Sequence, residues 1–70
     1  MLVNKIVVLT LDVLSTLTNL YNQDKIDLDV LKQHTAMKLS FLKDVKNDID
    51  DNNALIRIDK IINEIECIIN

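Results

Sequence analysis

Residues 54–69 read ALIRIDKIINEIECII. Within them Leu55, Ile58, Ile62, Ile65 and Ile69 fall at alternating steps of three and four, with Ala54, Ile61 and Ile68 beside them. Side chains so spaced share one side of an α-helix, and the stripe is wider than a coiled-coil seam. A helix this apolar must be buried against other helices, from its own chain or from a partner. The segment therefore decides for an all-α fold.

Working back from this helix, the cluster Asp48 to Asn53 supplies Asn and Asp, residues that tolerate turns and cap helix starts. Helix 3 is thus expected over 54–69, with Arg57, Asp59, Lys60, Asn63, Glu64 and Glu66 on its outer face. Upstream, Asp27 is placed to cap a helix running over 28–47. Its carboxylate would accept from first-turn N–H groups, Asp29 would favour the positive end of the dipole, and Ile26 would pack on Leu31. The buried face expected of that helix is Val30, Leu31, Met37, Phe41, Leu42, Val45 and Ile49, with His34 and Lys38 inside the same arc.

A second turn cluster, Asn22-Gln23-Asp24, sets off a first helix over 3–21. Val3, Ile6, Val7, Thr10, Val13, Leu14, Leu17, Leu20 and Tyr21 would form its inner face, leaving Val8, Leu9 and Leu11 off it. Such a helix is apolar over more than half its circumference near the N-terminus, as a central or interface helix is. The alternative is a strand over Lys5 to Val13, where β-branched residues are dense, but the helical period continues to Tyr21. Neither a signal peptide nor a membrane span is expected here. Asn4, Lys5 and Asp12 interrupt the apolar run, no small-residue cleavage site follows, and a span needs about 20 mostly apolar residues.

Composition supports this reading. The 70 residues include no Gly and no Pro, which disfavours tight hairpins and sheet-rich folds. The fold class predicted is all-α, a small three-helix up-down-up bundle or a helical hairpin, completed by self-association. Self-association enters because a chain this short has a marginal core. One Cys and one His provide neither an internal disulfide nor the four ligands of a structural zinc site. The 49% hydrophobic content alongside 27% charged residues leaves apolar surface to share between subunits. A dimer is favoured, and the interface residues expected are Val3, Val7, Leu14, Ile61, Ile65 and Ile68.

Candidate sites for chemistry are few. His34 and Lys38 lie one turn apart and could form a small polar contact, although a lysine stem lying over the core explains Lys38 equally. Cys67 falls opposite the isoleucine stripe, at a helix C-terminus, where the dipole does not favour a thiolate. Asp48, Asp50, Asn52 and Asp59 echo the spacing of a calcium loop, but Asn53 stands where the turn needs glycine and Asp59 where a bidentate Glu is usual. Capping of helix 3 explains the same residues. No glycine-rich phosphate loop, catalytic triad or paired-carboxylate signature is present. The chain reads as a non-enzyme with no cofactor and no metal.

Two functions remain. The leading one is a small cytoplasmic, self-associating helical module that binds another protein, as a regulator or inhibitor of it. The alternative is a dimeric nucleic-acid-associated regulator using a lysine strip on helix 2, Lys32, Lys43 and Lys46, with Lys25 just before it. A net charge of −3 argues against affinity built on phosphate neutralisation. Use of the apolar N-terminal helix at a membrane surface is a weaker third reading.

Overall fold

A computed structural model describes the backbone of residues 2–70 and the side chains of residues 5–70. The described residues form three α-helices, α1 (Leu2–Asn22), α2 (Leu28–Val45) and α3 (Asn52–Ile69), with a short 3-10 turn at Lys46–Asp48 continuing α2. Each helix packs against the other two. Short links reverse the chain twice, so α1 and α3 run together and α2 runs against them. The order of the α2–α3 ion pairs agrees, since Lys43 meets Glu66 and the later Lys46 meets the earlier Asp59. The longest dimension, 35 Å, is about the length of one 21-residue helix at 1.5 Å per residue. The fold is the three-helix bundle; residues 5–13 are helical, with no strand.

Three caps explain where the helices stop and start. Asp27 has extended backbone and its Oδ1 accepts from the Val30 N–H at 2.9 Å, the N-cap expected. Asp27→Ala should cost about 1 kcal/mol and lower the melting temperature by several degrees. Asp27→Asn, which keeps an acceptor, should lose much less, and thermal denaturation followed by circular dichroism compares the two. At α3, the cap is Asp51, accepting from the Asn53 N–H at 2.9 Å. This starts the helix at Asn52, inside the polar cluster rather than after it.

The end of α1 is closed by a left-handed residue. Asp24 has φ 59°, its N–H donates to the Tyr21 carbonyl at 3.1 Å, and the Lys25 N–H donates to the Leu20 carbonyl at 2.9 Å. This pair of bonds is a Schellman cap, in which the left-handed position usually holds glycine. An L-residue pays there for the closeness of Cβ to a carbonyl, and an acidic one also faces the negative end of the helix dipole. Asp24→Gly should therefore stabilise the fold by about 0.5–1 kcal/mol, the steric relief outweighing the freer unfolded chain. A chemical-denaturation midpoint that falls would refute this.

The core joins Val7, Leu11 and Leu14 of α1, Leu39 and Leu42 of α2, Ile49 of the connection, and Ile58, Ile61, Ile62 and Ile65 of α3. Leu31 and the hydroxyl residues Thr18 and Thr35 are also buried. The stripe of α3 packs as expected. The faces of α1 and α2 are rotated from expectation. On α1, Leu11 and Thr18 point inward, while Ile6 and Val13 face solvent. On α2, Thr35 and Leu39 are buried, Met37 is 83% exposed, and Val30 and Phe41 are half-buried. The reason is that threonine can be buried at little cost in a helix. Thr18 Oγ1 donates to the Leu14 carbonyl at 2.9 Å and Thr35 Oγ1 to the Leu31 carbonyl at 2.7 Å, so neither leaves an open donor in the core. α2 also ends at Val45, short of residue 47, and Ile49 reaches the core from extended backbone.

Candidate interaction surface

Four of the six residues expected at an interface are used inside the chain. Val7, Leu14, Ile61 and Ile65 are buried in the core, because a three-helix packing needs them there. Ile68 is half-buried, and Val3 lies outside the residues whose side chains are described. The apolar surface left open is elsewhere.

That surface is the outer side of α1. Ile6 is 49% exposed, Leu9 62% and Val13 43%. A shallow groove of about 250 Å³ lies at Leu9 and Val13, lined by these two with Asp12, Thr16 and Leu17. The hydroxyl of Thr16 donates to the Asp12 carbonyl at 2.9 Å. The carboxylate of Asp12 lies 3.3 Å from the Arg57 guanidinium of α3, an exposed pair of small energetic weight that still balances the charge at the groove's rim. Three further apolar side chains, Val8 of α1, Met37 of α2 and Ile56 of α3, are exposed as well. Leu9 and Thr16 were not singled out by the stripe on the inner face. The signal for them is a second stripe on the same helix, Ile6, Leu9, Val13, Thr16 and Leu20, again at steps of three and four.

The lysine strip is largely occupied within the chain. Lys43 Nζ lies 3.2 Å from Glu66 Oε2 and Lys46 Nζ 2.8 Å from Asp59 Oδ1. Lys32 is exposed. Only one of the three cations thus stands apart from a carboxylate among the described residues, and a phosphate backbone would have to displace two ion pairs. Of the residues with calcium-loop spacing, Asp59 pairs with Lys46 and Asp48, Asp50 and Asn52 are exposed, while the cap of α3 is their neighbour Asp51. No cluster of three His, Cys, Asp or Glu side chains that could hold a metal ion occurs among the described residues.

His34 is exposed, and Lys38 is half-buried with its ammonium donating to the His34 carbonyl at 3.0 Å. Lys38 lies along the helix with its charge at the surface, the stem-over-core arrangement. Cys67 carries an exposed free thiol. It borders an open groove between α1 and α3, with Thr18, Asn22, Lys60, Asn63, Glu64 and Ile68. Thr18 is committed to the Leu14 carbonyl, and no described side-chain polar atom that is buried lacks a hydrogen-bond partner. The groove therefore presents no buried group aimed at a ligand. No helix among the described residues is long and apolar enough to cross a membrane. Comparison with known protein families, with curated proteins and with solved structures returned no match to this chain.

Proposed function

We propose that this chain is a small non-enzymatic interaction module that self-associates and acts by binding another protein, as its regulator or inhibitor. The observation that carries the reading is the exposed apolar side of α1, Ile6, Leu9 and Val13, left over after the core is complete. Contiguous apolar surface on a small soluble domain marks a contact site more often than an accident of composition. The free, exposed thiol of Cys67 fits a reducing compartment such as the cytoplasm.

The test is the mass in solution by light scattering after size exclusion, over a hundredfold range of concentration. A dimer at the upper end, dissociating on dilution or not at all, is expected. A monomer throughout would overturn the self-association and leave the α1 face for a foreign protein alone. The nucleic-acid reading is weighed in the same preparation. With a net charge of −3, and with Lys43 and Lys46 beside Glu66 and Asp59, no DNA or RNA binding is expected even at low salt, where phosphate-driven affinity is greatest.

A further inference from the structure

We infer that α1 of one chain pairs with α1 of a second copy, parallel and in register, through a two-stranded coiled-coil seam. This rests on the reading of the chain as a self-associating module and specifies the surface and the geometry. The seam residues are Ile6, Leu9, Val13, Thr16 and Leu20, spaced three, four, three and four apart. They lie nearly opposite the inward stripe Val7, Leu11, Leu14 and Thr18 at 3.6 residues per turn, so α2 and α3 leave the seam open. Ile6, Leu9, Val13 and Thr16 are exposed and Leu20 half-buried.

The groove on this face has the form of a coiled-coil hole. In such packing each side chain of the seam enters a space between four residues of the facing helix. Four of the residues lining the groove, Leu9, Asp12, Val13 and Thr16, stand at positions i, i+3, i+4 and i+7, the diamond that surrounds one hole. A Val13 from a second copy is the knob that fits it, so one segment carries both halves of the contact.

The residue types select two strands and a parallel alignment. Ile6 and Val13 occupy the first two a positions and Leu9 the first d position, the β-branched and leucine distribution that favours two-stranded parallel coils; the third a position, half-buried Leu20, lies at the end of the seam. Thr16, at the next d position, enters without an open donor because its hydroxyl is bonded to the Asp12 carbonyl. Charge agrees. A chain of net charge −3 repels its copy over most of its surface, but the charged residues of α1 are Lys5 and Asp12 alone. An antiparallel pairing that sets Leu9 against Val13 centres near residue 11 and brings the two Asp12 carboxylates together. The parallel alignment instead places Asp12 beside Leu17 of the other copy, with Arg57 still balancing it.

The test uses four variants of the chain beside the parent. Leu9→Lys and Val13→Lys should each weaken the dimer at least about a hundredfold, since every substitution removes two apolar contacts and sets two ammonium groups at the seam. Their helical circular dichroism should match the parent, because both sites are exposed and lysine is a good helix former. In a Cys67→Ser background, Val13→Cys should form a disulfide-linked dimer on mild oxidation, whereas Met37→Cys, off the seam, should not. A parent dimer that survives both lysine substitutions would overturn the inference while leaving self-association standing. Crosslinking absent at Val13→Cys would overturn the parallel register. A parent chain that stays monomeric would overturn both the inference and the self-association on which it rests.

Discussion

Ile65→Asp is expected to leave the chain without a cooperative unfolding transition. Ile65 is fully buried and belongs to the joint core of all three helices. Truncating a buried isoleucine alone removes about 2–5 kcal/mol, and a carboxylate placed there without a cation adds several more unless it is protonated. A 70-residue domain has about 3–10 kcal/mol in total at the usual 0.05–0.15 kcal/mol per residue. The loss therefore matches or exceeds the whole stability. Thermal denaturation followed at 222 nm, a helix band, should show a shallow slope in place of a sigmoid. Ile65→Val keeps the shape of the site and should lose only about 0.5–1.5 kcal/mol, with its transition intact. A cooperative melt of the aspartate variant within a few degrees of the parent would mean that Ile65 is not in the core.

Ile65 was also legible from the letters, which makes it a useful contrast with α1 and α2. In α3 the apolar residues other than the exposed Ile56 gather on one side and charged residues occupy most of the other, so hydrophobicity alone fixes the phase of the helix. Likewise Asp27 is the only residue at the head of α2 with a short side-chain acceptor at the right spacing from Val30, and the cap could be placed in advance. Neither condition holds on the inner faces of the other two helices. α1 has apolar residues nearly all round, so its period predicts a helix but gives no direction toward the core. On α2 the buried face includes Thr35, a polar letter, and the exposed side includes Met37, an apolar one. A threonine that satisfies its hydroxyl on its own helix, as Thr35 does at Leu31, is hydrophobic in effect, and no pattern of letters records that bond. The same reason puts Val7 and Leu14, expected at an interface, in the core of the chain itself. Val7 and Leu14 are apolar residues of α1, but a helix with two apolar stripes does not announce which one its own chain will use.

That ambiguity on α1 makes the second large effect a comparison of two leucines two positions apart. Leu11→Ala should cost about 2–5 kcal/mol, because Leu11 is 1% exposed and its removal leaves a cavity among core side chains that cannot fully close. Leu9→Ala should change the stability of the single chain by no more than about 0.5 kcal/mol, as surface substitutions usually do, and alanine's helix propensity offsets part of any lost contact. Both are measured by urea denaturation at low protein concentration, where dissociated chains are compared. At high concentration the order of the two should shift in a telling way. Leu9→Ala should then lose the concentration dependence of the parent's midpoint, since the stabilisation supplied by a second copy is a mass-action term. Leu11→Ala should keep that dependence while starting from a lower midpoint. Equal losses at low concentration would mean that both leucines face the core, an arrangement that two residues 200° apart on a helix cannot share with one set of neighbours. The two substitutions thus separate what α1 does for its own chain from what it offers to another.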